Sequence, residues 1–201
     1  MPRISEQDMA QTRQRIVDAA SPRFRAEGID GIGIAALMKD AGLTHGGFYN
    51  HFASKDALAV AVCEDAFAAS LATLARTVDE ADPDRPTLAE TLADYLSPEH
   101  RDGPDGGCPS AALVSDAGRH GPAIQASYAR GVAGYLAGFD AAQQLEATER
   151  GESLDPGEAR RRSIALLSEI VGAIVLSRAI RLADPDLSDE ILTVSRERHD
   201  R

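Results

Sequence analysis

Tryptophan is absent from this 201-residue chain, and aromatic residues make up only 4% of it. Sheets favour aromatic and β-branched residues, so their scarcity, beside recurrent Ala and Leu, predicts an all-helical fold. Two cysteines, Cys63 and Cys108, are too few for a disulfide framework. The opening residues also lack the apolar run of a secretory signal, so a reducing cytoplasm is the expected compartment. No stretch supplies about 18 consecutive apolar residues. The nearest, 164–183, is interrupted by Ser168, Glu169, Arg178 and Arg181, and no membrane partner is expected. Basic excess is missing too: the formal net charge is −11, which by its sign disfavours a nucleic-acid partner. The distribution changes that reading. Seven Lys/Arg balance seven Asp/Glu within residues 1–60, so the whole deficit lies in residues 61–201. A neutral head on an acidic body permits DNA binding through locally placed charges.

In the head, Ile16, Ala20 and Phe24 recur at steps of four within Gln11 to Glu27, which predicts a first helix ended by Gly28. Pro22 removes a backbone donor inside it, so a bend is expected. Ile34, Leu37, Met38 and Ala41 predict a short second helix closed by Gly42. Thr44 is placed to cap a third, with Leu43, Phe48 and Phe52 turned inward. Two short helices joined by a tight glycine turn make a helix-turn-helix, whose second member enters the major groove.

The residues left outward on that third helix are Thr44, His45, Gly46, Gly47, Tyr49, Asn50 and His51. Asn pairs with adenine edges, Tyr and Thr hydroxyls bond phosphates, and paired glycines let the backbone approach the duplex. Ser54 is read as the cap of a fourth helix with Lys55 in its first turn, a phosphate clamp beside free backbone donors. The alternative is that Tyr49 and His51 pack in a small core and Lys55 is a solvated charge.

The run Ile16 to Leu58 contains Ala19-Ala20 before Phe24, then Gly28, Ala41-Gly42-Leu43-Thr44, Gly46, Phe48-Tyr49-Asn50-His51-Phe52 and Ser54-Lys55-Asp56-Ala57-Leu58. It resembles the N-terminal domain of TetR-family transcriptional regulators. The resemblance covers about the first third of the chain. It departs at Pro22, at Gly33 and Ala35, where the family commonly has capping and phosphate-touching side chains, and at His45, where Lys or Arg is frequent. It implies a three-helix DNA-binding domain over residues 1–53 and a larger helical ligand-binding and dimerisation domain over 54–201, about nine helices in all.

In the body, the fourth helix is expected to run to about Glu80 and to break at Asp82-Pro83-Asp84-Arg85-Pro86. Thr87 with Glu90 forms a capping box for the next helix, and Ser97 to Gly107 is expected to be a flexible loop. A short helix follows from Cys108-Pro109 to about Arg119. A long one then runs to about Glu149, with Gly131, Gly134 and Gly138 thinning one side. Asp155-Pro156-Gly157-Glu158 opens a helix apolar on two faces: Ile164, Leu167, Val171 and Ile174 on one, Leu166, Ile170 and Ala173 on the other. Pro185 ends it, and Ser188 starts a last helix carrying Ile191, Leu192 and Val194. The second apolar face needs a partner. With the last helix it would form a four-helix interface between two copies, the homodimer that the resemblance implies. Two equal heads suit a near-palindromic double-stranded operator.

The resemblance also implies a small-molecule effector bound among the middle helices, with Phe67, Leu71, Tyr95, Leu113, Tyr128, Tyr135 and Phe139 as candidate lining, and a role as repressor. Gly107-Cys108-Pro109 resembles a motif in a TetR-type subgroup that includes electrophile and oxidant sensors, which makes Cys108 a candidate redox sensor; packing as a small residue is the alternative. Asp116 and His120 stand four apart but lack a third ligand, so a surface pair is expected rather than a metal site. No cofactor motif and no catalytic set are found. The reading from another class, an all-helical binding protein or enzyme without DNA binding, would need convergent acid, base or metal groups.

Overall fold

The computed structural model describes residues 5–103 and 107–199, and these are helical, with no strand among them. They divide into two compact units, one within Met1–Phe67 and Pro104–Tyr128, the other within Ala68–Gly103 and Ala129–Arg201. Helices α3 (Lys55–Ala75) and α8 (Pro122–Glu149) contribute to both.

In the first unit, α1 spans Glu6–Glu27 and so starts earlier than its apolar spacing indicated. The reason is a capping box: Ser5 Oγ accepts from the Asp8 amide at 3.0 Å and the Asp8 carboxylate accepts from the Ser5 amide at 3.3 Å. The helix passes through Pro22 without ending. Asp18, four residues earlier, is exposed, so water can satisfy the carbonyl that proline leaves without a donor. Ile16, Val17, Ala20 and Phe24 bury one face.

Helix α2 (Ile34–Asp40) ends in a Schellman motif. The Leu43 amide donates to Met38 O at 2.8 Å and the Gly42 amide to Lys39 O at 2.9 Å, with Gly42 at φ 72°. Only a residue without Cβ adopts that φ cheaply. The third predicted helix is a 3-10 helix over His45–Asn50, and Thr44 stands at its N-cap position without a side-chain capping bond. Ser54 does cap α3, accepting from the Ala57 amide at 3.1 Å. The segment expected as one helix from Cys108 to Arg119 is two, α6 (Pro109–Ala112) and α7 (Val114–Arg119), broken at buried Leu113.

In the second unit, α3 ends at Ala75 and passes into a 3-10 turn, Arg76–Val78. Thr87 and Glu90 make the expected capping box for α4 (Leu88–Tyr95). The expected loop 97–107 instead begins with a helix, α5 (Pro98–Asp102), because Ser97 Oγ accepts from the His100 amide at 3.1 Å and Pro98 takes the first helical position. The remainder of that expected loop includes residues 104–106, which lie outside the described residues. Gly134 and Gly138 admit α3 closely: a Cβ would stand 2.7 Å from Leu71 Cδ1 and 2.5 Å from Leu74 Cδ2.

Asp155 caps α9 (Pro156–Ile180), as expected. Its two faces divide differently from the spacing: Leu166, Leu167, Ile170, Ala173 and Ile174 are all buried, while Ile164 and Leu176 are exposed. The last helix, α10 (Pro185–Glu197), is capped by Asp184, not Ser188. Ser188 is buried inside it, its Oγ donating to Ser177 O at 2.9 Å, and this pairing joins α10 to α9. The described residues thus hold ten α-helices and two 3-10 helices, the additions over nine arising from α5, the α6–α7 break and the 3-10 turn after α3. The segments Lys55–Val78 and Pro156–Ile180 are long and apolar enough by composition to cross a membrane. Here they carry core side chains, Leu58, Val62, Phe67 and Leu74 in one and Leu166, Leu167, Ile170 and Ile174 in the other.

Candidate nucleic-acid interface

The 3-10 helix is held from below by Phe48, fully buried, which stacks on buried Phe52 with centroids 5.8 Å apart. Arg15 Nη2 donates to Ala41 O at 2.7 Å and so ties α1 to the end of α2, where the turn begins. On this support Thr44, His45, Gly46, Tyr49 and Asn50 are exposed, and Gly47, His51 and Lys55 are half-buried. Tyr49 is 63% exposed and its ring meets that of Phe48 edge-on with centroids 5.2 Å apart, so the ring is positioned by the buried stack beneath it. The residues expected to face DNA thus lie exposed or half-buried within one short segment, 44–51, interrupted only by buried Phe48, with Lys55 at the first turn of the capped helix that follows.

The cations of this unit are distributed unevenly. Arg23 pairs with Glu27 at 2.6 Å and Asp40 at 3.3 Å, and Arg25 donates to Gly107 O at 2.9 Å. Among the described residues no carboxylate pairs with Arg13, Lys39 or Lys55. Arg13, which no local pattern in the sequence singles out, places its guanidinium carbon 4.5 Å from the Phe52 ring centroid.

Segment 107–128 packs with the head. Asp116 Oδ1 accepts from the Ile29 amide at 3.1 Å, just after Gly28 ends α1. The His120 ring lies 3.4 Å from Asp56, 3.7 Å from Asp30 and 4.0 Å from Asp116. These residues are thus a half-buried link and not the isolated surface pair expected, and no group of three or more ligating side chains suited to a metal occurs among the described residues.

The sequence model of the bacterial regulatory proteins of the tetR family matches residues 16–62, the segment holding this turn. The first unit therefore carries a segment that matches the tetR-family DNA-binding sequence. The HTH-type transcriptional repressor Rv1474c of Mycobacterium tuberculosis is 34% identical over 65 residues, 32% of this chain and 35% of that protein. The repressor AcnR of Corynebacterium jeikeium is 31% identical over 65 residues, 32% of this chain and 34% of its own length. The chain thus spans about a third of the length of the curated relatives it matches. Whole-chain likeness comes from solved structures: reduced Escherichia coli NemR (TM-score 0.75, 22% identity, 94% of this chain and 95% of that one) and a TetR-family regulator of Cytophaga hutchinsonii (TM-score 0.75, 22% identity, 98% and 96%). The fold shared with these two structures therefore extends over both units.

The effector candidates fall in both units. Phe67, Leu113 and Tyr128 lie in the first, with Phe67 edge-on to Tyr128 at 5.5 Å. Leu71, Tyr95, Tyr135 and Phe139 lie in the second, with Tyr135 stacked on Phe139 at 6.1 Å. Burial and the neighbouring Cys108 and Cys63 thiols push the Tyr128 phenol well above its ordinary value, so it stays neutral and donates to Ser110 O at 2.7 Å. Cys108 is buried, its Sγ 2.8 Å from Ser110 Oγ. The second unit also holds a cleft of about 590 Å³ with Leu88, Leu92 and Leu166 in its wall and Arg150, Glu152 and His199 among its polar lining. None of the effector candidates lines it.

Proposed function

We propose that the chain is a cytoplasmic TetR-type transcriptional repressor that binds a near-palindromic operator as a homodimer and releases it on binding a small-molecule effector. Residues 1–53 serve as the DNA-binding domain and 54–201 as the ligand-binding and dimerisation domain. The observation that carries the reading is the exposed and half-buried segment of Thr44, His45, Gly46, Gly47, Tyr49, Asn50 and His51, with Lys55 beside it, set on the buried Phe48–Phe52 stack. Asn50 and Tyr49 face base edges and sugar-phosphate, and Lys55 takes a phosphate at the α3 N-terminus. For the dimer, α9 and α10 leave Ile164, Leu176, Leu187 and Val194 exposed, apolar side chains that a second copy would cover. For the effector, the aromatic residues Phe67 and Tyr128 in one unit and Tyr95, Tyr135 and Phe139 in the other, with Leu71 and Leu113, are the contacts we assign. The related FadR structure from Bacillus subtilis, a complex with stearoyl-CoA, supports a small-molecule role for this fold.

Fluorescence anisotropy of the full chain against DNA from its own upstream region tests the reading. Saturable, salt-dependent binding is expected, weakened by Tyr49→Ala and by Lys55→Ala. Binding unaffected by both substitutions would remove the segment as the interface, and an absence of specific binding would favour an all-helical small-molecule-binding protein. A second reading, a thiol switch at Cys108, draws on the contact of its Sγ with Ser110 beside Tyr128. Burial requires the site to open before an electrophile reaches it. Release of DNA by an electrophile that persists in Cys108→Ser would end that reading.

A further inference from the structure

Arg13 precedes the matched family segment and stands on the amino-terminal half of α1, yet it belongs to the same side-chain row as the recognition segment. Its guanidinium lies over Phe52 at 4.5 Å, Phe52 stacks on Phe48 at 5.8 Å, and Phe48 meets Tyr49 at 5.2 Å. The two middle members are buried and the two ends, Arg13 and Tyr49, are exposed. A cation packed on an aromatic face is held there by the ring quadrupole. A guanidinium carries five N–H donors, more than one ring face engages, so donors remain for a second partner. A planar fork of donors matches the oxygens of a phosphate.

No carboxylate among the described residues takes that fork, whereas Arg23 is tied to Glu27 and Asp40, and Arg15 and Arg25 donate to backbone carbonyls. In a head with no net charge over residues 1–60, the cations without an anionic partner dominate the attraction for a polyanion. Lys55 is one of them and follows Phe52 by one turn of chain. We propose that Arg13 is a DNA-backbone contact, taking a phosphate beside the Tyr49 and Lys55 contacts, with Phe52 as the platform that fixes its guanidinium. The proposal rests on the DNA-binding reading above. A phosphate contact supplies affinity and register but carries no sequence information.

The test is an anisotropy titration of the full chain against two labelled duplexes of equal length, one from its own upstream region and one unrelated, at several salt concentrations. Wild type is compared with Arg13→Met, which keeps an apolar stem over Phe52 and loses the charge, and with Arg13→Lys. Arg13→Gln removes the same charge through a polar side chain, so loss of fold in one variant leaves the test intact; thermal melts report folding. Both neutral variants are expected to weaken the two duplexes by a similar factor, roughly tenfold, and to lower the salt slope by about one per protomer. Arg13→Lys should recover the slope. An unchanged slope in a folded neutral variant, or a loss confined to the chain's own upstream duplex, would overturn the proposal while wild type still binds. Wild type that binds neither duplex would instead overturn the DNA-binding reading itself.

Discussion

Asp116 shows how much a single carboxylate can decide. It accepts from the amide of Ile29, a residue only 2% exposed, at 3.1 Å. Asp116→Ala would leave that amide buried without a partner, at a cost of about 1–3 kcal/mol. The expected outcome is a lower Tm in calorimetry together with faster hydrogen exchange at Ile29; an unchanged Ile29 exchange rate would show that water replaces the carboxylate. Gly138 acts through absence of volume. A Cβ there would stand 2.5 Å from Leu74 Cδ2, so Gly138→Ala should cost about 1–3 kcal/mol by overpacking, read as a shift in urea midpoint. The glycine spacing on α8 was legible as a thinned side. The partner of Asp116 was not, because Ile29 lies 87 residues away.

Helix α5 owes its form to a cap and a buried charge together. Its residues read as a loop because Pro98, Gly103 and a mixture of charges dominate the local composition. What makes it a helix is the Ser97 cap and the burial of Arg101, which donates to Ser188 Oγ at 2.7 Å and pairs with Asp102 and Asp189. These hydrogen bonds and charges hold Arg101 protonated despite its burial. His100 on the same helix is pushed below its ordinary value, first by burial and then by the Arg178 charge. The folded state therefore refuses a proton that the unfolded chain accepts. Stability is expected to fall as pH drops below the ordinary imidazole value of about 6.5, until the depressed folded value is passed. His100→Gln should flatten that part of the profile in thermal melts between pH 8 and 5. Asp102, held below the carboxylate range chiefly by its hydrogen bond from Arg101, contributes stability that is lost only at lower pH, as the folded carboxyl protonates, so the two windows separate.

At the scale of the whole molecule, the apolar side chains left open on α9 and α10 set the expected assembly. Leu176 is 59% exposed and Val194 52%, and Leu176→Asp with Val194→Asp should shift sedimentation from dimer to monomer and weaken operator binding, because each head then binds alone. A double variant that still sediments as a dimer would place the interface elsewhere. The all-helical fold and the turn that leads into the exposed 44–51 segment were legible in the sequence because their signals are local. Ser54 and Asp155 cap helices within three residues, Gly42 closes a turn through its own φ, and the Tyr49-Asn50-His51 run follows it at once. Apolar spacing also marked α9 as a helix, but not which of its residues are buried, since that depends on α10 and on the Ser177–Ser188 pairing. Local order likewise gave no sign that segment 107–128 packs with the head, that Arg101 is buried against α10, or that Arg13 rests on Phe52. Each of those depends on side chains far apart in sequence that meet only once the helices pack, so composition and periodicity carry no trace of them, and the tertiary structure alone decided them.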